Sequence, residues 1–489
     1  MKYFKPLCLF LICVLYLPLL DTLPFIAMDE PAYAATAWQF FRGHGFINPV
    51  WVGGGQEFFL YPFFLALSYK VLGVSLWSSR LVSVVMALLS GWMLLKIAKQ
   101  WSWKTSTTCL VLATFFINNS SYIIFRSCRP ESMVALGLLT SIWLFSNLLL
   151  GKKTWGMGLA LGLVSTLCIL AHPIALFGTV FWGIALCYDA YSRKSARVLW
   201  GYITGILCII SLWGFVYIGI EGHTLKELFS SLNERTHSTS RWALAQANLL
   251  RTYRGYSLGL KRFFLWGCEL SILGVGLYTA WSKKAEKSPQ IIGLMLLSLF
   301  GLGFFGGMIF GLTNLVLRYF SLISIFSCLV LGMVIENKKS KCLIGIAIFY
   351  CAYSLMGQLW VIHRQWDATP YSVVEKQLSQ AVPTHEPVMT NLQFWFPFYQ
   401  HLVITDTLAC AKEDTLTYFQ SGKVHYVVLA DFLLKKESPT TGFYAPFMTS
   451  KRWELFYEGL FPYLQTHGQL ASTVSTKGYG DIQVWKVSR

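Results

Sequence analysis

Residues 132–153 read SMVALGLLTSIWLFSNLLLGKK. Residues 132–150 carry no charge, and Lys152 and Lys153 follow at once. About 20 consecutive apolar residues are what a helix needs to cross the hydrocarbon core of a bilayer. Lysines directly behind such a run mark a short cytoplasmic loop. The segment therefore predicts a membrane helix that ends inside the cell.

The same arrangement recurs along the chain. Starting inside with Lys2 and Lys5, apolar runs lie at about 7–25, 76–98, 105–124, 132–150, 154–171, 174–190, 198–220, 263–281, 289–309, 316–335 and 342–361. Between them fall basic clusters: Lys96 and Lys99; Lys152 and Lys153; Arg193, Lys194 and Arg197; Lys283 and Lys284; Lys338, Lys339 and Lys341. With the N-terminus cytoplasmic, each of these clusters falls on the inner side, as the positive-inside rule requires. Ala32-Tyr33-Ala34 has the form of a signal cleavage site, but the many later spans favour a retained first helix. The expectation is an α-helical polytopic membrane protein of about eleven spans.

Composition agrees. Of 489 residues, 55% are hydrophobic and only 13% charged, against about 25% charged in an ordinary soluble domain. The formal net charge of +17 does not imply a nucleic-acid partner, because most of the basic excess sits in the short inner loops. Most of the twelve cysteines lie inside apolar runs, where they act as small packing residues. Cys128 and Cys410 are the exceptions, and no spacing pairs them. There is no Walker-type loop, dinucleotide glycine pattern or His/Cys metal spacing.

After residue 362 the composition changes. Strand-like runs (Val424–Leu429, Ile482–Val487) alternate with helix-like runs (Ser372–Ala381, Asn391–Tyr399), punctuated by Pro383, Pro387, Gly422 and Gly478–Gly480. The reading is a membrane domain over 1–362, with outer loops at 26–75 and 221–262, and a small extracytoplasmic α/β domain over 363–489.

The polar residues that could carry chemistry cluster at the outer ends of the spans. The first outer loop opens Met28-Asp29-Glu30-Pro31-Ala32-Tyr33-Ala34. Pro31 suits the first turn of a helix, Asp29 or Glu30 can cap it, and the run continues to Phe41. Acidic caps at a water boundary account for these residues without any function. The next outer loop holds Cys128-Arg129-Pro130-Glu131, again an acid opening a membrane helix after proline. His172 precedes Pro173 at a span end, a place where a lone histidine is an ordinary interface residue. The 221–262 loop carries Lys226, Arg235, Arg241, Arg251, Arg254, Lys261 and Arg262. That is either a solvated loop or a basic rim for phosphate. Arg318 sits at the outer end of an apolar span, where an arginine needs an anionic partner such as a lipid phosphate.

Taken together, the arrangement resembles the C-type membrane glycosyltransferases that use polyprenyl-phosphate sugars, such as the aminoarabinose transferases and protein O-mannosyltransferases. The matching pieces are Asp29-Glu30-Pro31-Ala32-Tyr33-Ala34, then Gly43-His44-Gly45-Phe46, Tyr61-Pro62 and Ser79-Arg80-Leu81-Val82-Ser83. Arg129-Pro130-Glu131, Ala171-His172-Pro173 and Arg318-Tyr319 complete the set. The resemblance covers the whole membrane part and implies a GT-C-like fold. It implies an inverting transfer of a hexose or pentose from a polyprenyl-phosphate donor to an acceptor hydroxyl on a lipid, cell-envelope glycan or protein. It places that reaction at the outer face of a bacterial plasma membrane. It also implies roles: Asp29 as general base and Glu131 orienting the acceptor or sugar. Glu30, Tyr33, Tyr61, Arg129, His172 and Arg318 would line the substrate site. Some relatives carry Glu-Lys-Pro-Pro, linked to metal and phosphate binding, where this chain reads Phe58-Phe59-Leu60-Tyr61-Pro62 with Glu57 displaced. The metal ligands are therefore unknown, and no cofactor is expected beyond a divalent cation left open. Relatives also often have Asp where this chain has Glu131.

Three other readings stand beside this one, of which a structural or interaction protein whose outer tail binds a partner would leave Asp29, Glu131 and Arg318 without a role. A transporter or flippase would show paired halves and acids near mid-span, whereas no repeat is visible and the acids read as clustered on one side. An oligosaccharide ligase on the same fold would differ in its donor.

Overall fold

A computed structural model describes residues 4–23, 29–50, 58–151, 154–193, 195–220, 241–254, 256–257, 260–286, 288–311, 319–338, 340–405, 423–429 and 461–487. In chain order the helices are α1 (Phe4–Tyr16), α2 (Asp29–Phe41), α3 (Leu60–Leu72), α4 (Leu76–Gln100), α5 (Thr105–Phe116), α6 (Asn119–Arg126), α7 (Glu131–Leu149) and α8 (Trp155–Ala171). They continue as α9 (Leu176–Arg193), α10 (Arg197–Gly214), α11 (Arg241–Arg254), α12 (Arg262–Ser282), α13 (Pro289–Gly311), α14 (Phe320–Lys338), α15 (Lys341–Gln365), α16 (Tyr371–Ala381) and α17 (Phe461–His467). Among the described residues seven helices are long and apolar enough to cross a membrane, or eight if α5 and α6 form one bent span. Shorter apolar helices occupy Phe4–Tyr16, Leu60–Leu72, Trp155–Ala171 and Ser321–Asn337.

Each of the eleven expected spans meets a helix, and two differ from expectation. The first helix stops at Tyr16, because Pro18 disfavours helical geometry in the residue before it. The third is broken: α5 and α6 meet at 66°. The expected outer loop 221–262 also contains helix α11 and a short hairpin, β1 (Tyr256–Ser257) with β2 (Leu260–Lys261). Lys226 and Arg235 lie outside the described residues.

The chain forms two compact units. The first comprises residues 1–18, 57–61 and 80–363. Helices α8 and α10 pack closely through four glycines. A Cβ at Gly158 would lie 2.1 Å from the Val198 carbonyl oxygen, at Gly162 2.2 Å from that of Tyr202, and at Gly201 2.2 Å from that of Trp155. At Gly205 it would lie 2.5 Å from the Leu159 carbonyl oxygen. Both pairs, 158/162 and 201/205, have the i, i+4 spacing that lets membrane helices approach backbone to backbone. Bilayer lipid offers the backbone no hydrogen bonds, so the break between α5 and α6 must be satisfied from within. The Phe116 carbonyl accepts from Tyr16 Oη at 2.7 Å, and the Ile117 carbonyl accepts from Gln358 Nε2. Asn118 caps α6, its Oδ1 accepting from Ser120 N at 2.6 Å. At the far end of α6, Arg126 donates to the Leu15 and Tyr16 carbonyls at 3.0 and 3.1 Å and to that of Pro18, closing the end of α1.

The second unit comprises residues 19–56, 62–79 and 364–489. Its core is a five-stranded sheet in the order β4 (Val403–Thr405), β3 (Val388–Thr390), β5 (Tyr426–Leu429), β7 (Gly480–Val487), β6 (Gly468–Thr476). β3 runs parallel to β4 and β5, whereas β7 pairs antiparallel with β5 and β6. Helix α16 presents Tyr371, Val374 and Leu378 to the interior. Asp21 is tied to its start: the Asp21 carbonyl accepts from Tyr371 N at 3.1 Å and its carboxylate accepts from Ser372 Oγ at 2.9 Å. Helix α2 packs on the turn Leu392–Phe394, with Trp38 edge-on to Tyr399 at 4.9 Å.

A helix was expected over Asn391–Tyr399, but two 3-10 turns, Leu392–Phe394 and Phe396–Phe398, are found. Pro397 lacks an N–H and restricts Phe396, so a continuous α-helix cannot run through it.

Candidate functional site

In the second unit, α2 begins at Asp29 and ends at Phe41, as the Asp-Glu-Pro opening predicts. Asp29 is half-buried, Glu30 is 0% exposed and Tyr33 is half-buried. Both carboxylates lie in the first turn, where the helix dipole and free backbone N–H groups favour negative charge. Thr36 Oγ1 bonds back to the Ala32 carbonyl at 3.1 Å. Of the two acids, Asp29 alone retains solvent access, which a group that takes a proton from an entering hydroxyl needs.

In the first unit, Ser83 on α4 joins three of the residues expected from sequence, directly or through a neighbour. Its Oγ lies 2.8 Å from the Tyr61 hydroxyl, 3.4 Å from the Arg129 backbone nitrogen and 3.2 Å from Ser132 Oγ. Ser132 Oγ in turn lies 2.7 Å from the Arg129 carbonyl. Ser132 follows Glu131, which opens α7 and is 0% exposed. Arg129 is 4% exposed. Tyr61, Arg129 and Glu131 are thus gathered around one serine hydroxyl and the N-terminus of α7. Two further buried arginines, Arg80 and Arg126, both act electrostatically on Tyr122. Arg126 is engaged by the backbone carbonyls at the end of α1.

His172 caps the single turn Pro173–Ala175. Its Nδ1 accepts from Ile174 N at 3.2 Å, which leaves the ring proton on Nε2. Its ring lies 5.5 Å from that of Tyr319. Arg318 lies outside the described residues, as does Cys410. Cys128 is fully buried.

Two features were given no role by the sequence reading. Ser83 and Arg80 belong to the Ser79–Ser83 stretch, whose polar density at the start of an apolar run was the available signal. Glu269 on α12 corrects the expectation that acids cluster on one side, because it lies within an apolar span and is 4% exposed. One carboxylate among so many apolar neighbours barely changes an averaged hydropathy. Among the described residues no three His, Cys, Asp or Glu side chains are grouped to hold a metal ion. Glu57 lies outside the described residues.

No protein-family model matches the sequence, and no curated protein matches it. The architecture does match solved structures: the fold is that of the GT-C membrane glycosyltransferases. One such structure is ArnT from Cupriavidus metallidurans bound to undecaprenyl phosphate. It is 12% identical, over 98% of this chain and 97% of that one, with a TM-score of 0.62. Its apo form matches equally, with a TM-score of 0.62 at 12% identity over 99% and 97% of the two chains. The Archaeoglobus fulgidus oligosaccharyltransferase, in complex with Zn and sulfate, is 10% identical over 88% of this chain and 68% of that one, with a TM-score of 0.53.

Proposed function

We propose that this chain is an inverting glycosyltransferase that takes a sugar from a polyprenyl-phosphate donor and passes it to an acceptor hydroxyl. The observation that carries the reading is the end-to-end fold likeness to ArnT, which was solved with undecaprenyl phosphate bound. It is supported by an acidic pair, Asp29 and Glu30, opening α2, where the resemblance puts the base.

In the proposed reaction Asp29 accepts the proton of the acceptor hydroxyl as that oxygen attacks the anomeric carbon. The bond from that carbon to the phosphate oxygen breaks on the opposite face, and the polyprenyl phosphate departs with the bonding pair. Base catalysis by a positioned carboxylate contributes about 10²–10⁴-fold. Arginines counter the charge that grows on the departing phosphate. Arg129 is assigned this role, with Arg318 and the arginines of the 221–262 loop as the other candidates from the resemblance. Glu131 orients the acceptor or sugar, and Glu30, Tyr33, Tyr61 and His172 contribute to substrate binding. The proposed steps use side chains alone.

The domain division at about residue 363, the outward-facing tail, the cytoplasmic N-terminus and the bacterial plasma membrane belong to the same proposal. The sidedness is supported by the distribution of basic loops, and the division by the change of composition after residue 362. The likeness to an oligosaccharyltransferase supports one alternative, transfer of a longer glycan from a lipid carrier. The test is to incubate the purified chain in lipid with a polyprenyl-phosphate sugar and an envelope extract. Free polyprenyl phosphate and a product of inverted anomeric configuration are expected. Transfer only from pyrophosphate-linked oligosaccharides selects the ligase reading, and a donor that remains intact overturns both.

A further inference from the structure

Glu269, Ser324, Tyr350 and Asn118 form a buried polar network in the first unit, and none of them belongs to the substrate residues above. Glu269 lies on α12, Ser324 on α14, Tyr350 on α15, and Asn118 at the break between α5 and α6. The Tyr350 hydroxyl donates to Glu269 Oε1 at 2.6 Å, and Ser324 Oγ donates to the same oxygen. Asn118 Nδ2 donates to the Tyr350 hydroxyl at 2.6 Å and to Ser324 Oγ. The direction of every bond is consistent. The two amide hydrogens enter the two hydroxyl oxygens, whose own hydrogens both point to one carboxylate oxygen. All four residues are at most 4% exposed.

A carboxylate in an apolar span is costly and persists where it is fully engaged. What this one engages is the residue that restarts the broken span. Asn118 uses its amide nitrogen on the network and its Oδ1 to cap α6. Helix α6 leads through Arg126 to Cys128, Arg129 and Glu131. Its far end is held by the Arg126 bonds to the end of α1, and the next segment by Ser83. The span break is therefore pinned at one end by Glu269 acting through two hydroxyls.

We propose that Glu269 is a positioning residue: it fixes the α5–α6 break and so sets the placement of the Arg129–Glu131 segment. The consequence for catalysis rests on the function proposed above, but the placement itself does not. Two variants separate the idea from simple destabilisation. Glu269→Gln keeps an Oε1 that accepts both hydroxyls, whereas Glu269→Leu removes the acceptor. Cys128, fully buried two residues after α6, reports the placement without any assay of activity. Its thiol labelling is followed by peptide mass spectrometry in protein that remains folded and monodisperse.

In Glu269→Leu, Cys128 labels about tenfold or more faster than in wild type, as a local opening would allow. Labelling of Cys168, also buried but in α8, stays unchanged. Sugar transfer falls in kcat by about 100-fold, the cost of ~1 Å misplacement of a catalytic group. The donor KM changes little. Glu269→Gln restores Cys128 protection and kcat to within about threefold of wild type, the scale of one altered hydrogen bond. A folded Glu269→Leu protein whose Cys128 is as protected as in wild type overturns the proposal. So does a Leu variant in which Cys128 and Cys168 become labelled together. If wild type transfers no sugar while Cys128 responds as stated, the functional reading fails and the positioning role stands.

Discussion

The Tyr61 hydroxyl lies 2.8 Å from Ser83 Oγ. These residues sit on different helices, α3 and α4, and Ser83 also meets the backbone nitrogen of Arg129. A small hydroxyl thus stands at the junction of the elements that carry Tyr61, Arg129 and Glu131. Removing it takes one hydrogen bond from each of these buried groups, about 1 kcal/mol apiece. Ser83→Ala is expected to lower the kcat/KM of sugar transfer about tenfold, equivalent to ~1.4 kcal/mol. Ser83→Thr keeps the hydroxyl and recovers most of it. Steady-state transfer by the two variants checks this, and an alanine variant with wild-type kinetics would remove Ser83 from the account.

The contact of α8 with α10 predicts a second contrast. A methyl group at Gly162 meets the Tyr202 carbonyl oxygen at 2.2 Å, whereas one at Gly267 on α12 meets nothing within 4 Å. Gly162→Ala is expected to destabilise the protein by about 1–3 kcal/mol through overpacking. Gly267→Ala is expected to be neutral or to stabilise by up to ~1 kcal/mol, because alanine is the better helix former. Unfolding in detergent, followed by thermal aggregation or steric trapping, gives the ranking directly. Equal midpoints for the two variants would contradict the backbone approach.

Much of the fold was legible because hydropathy and charge report the bilayer directly. A span must be apolar for some 20 residues wherever it lies. The opening of α2 was equally legible, since Asp29, Glu30 and Pro31 satisfy a helix start through local chemistry alone. Glu269 was not, because its partners Ser324 and Tyr350 lie 55 and 81 residues away and an acid inside an apolar run gives no local sign of what engages it. The glycines at 158, 162, 201 and 205 were also silent, because their role appears only when two helices are brought together. The Asn391–Tyr399 segment misled because its apolar spacing suited a helix while Pro397 forbade one. The helix starts at Asp29 and Glu131 were readable from local sequence, whereas the contacts of Ser83 with Tyr61 and Arg129 are long-range and give no local sign.

The tail carries a pH dependence. Partial burial in α16 pushes the Glu375 carboxyl up to about 7, from a usual 4.5. The folded state therefore holds this proton to higher pH than the unfolded state does. Stability is greatest below about pH 4.5 and falls as pH rises toward 7, after which both states are ionised and the loss is constant. Allowing for solvent screening of a partly exposed group, the loss is about 1–2 kcal/mol. Glu375→Gln is expected to abolish this slope and to raise protection of the 371–381 amides at pH 8. Hydrogen exchange at pH 5 and 8 measures it. A variant whose protection still falls between those values would assign the slope to another group.

The most direct measurement of the central claim is transfer of labelled sugar from a polyprenyl-phosphate donor, in membranes holding equal amounts of wild type or Asp29→Asn. The account predicts transfer by the wild type and a loss of at least about 100-fold in the variant, since asparagine keeps the shape of the side chain but cannot accept the proton. Equal transfer by both would make Asp29 a helix cap and nothing more, and would contradict the account.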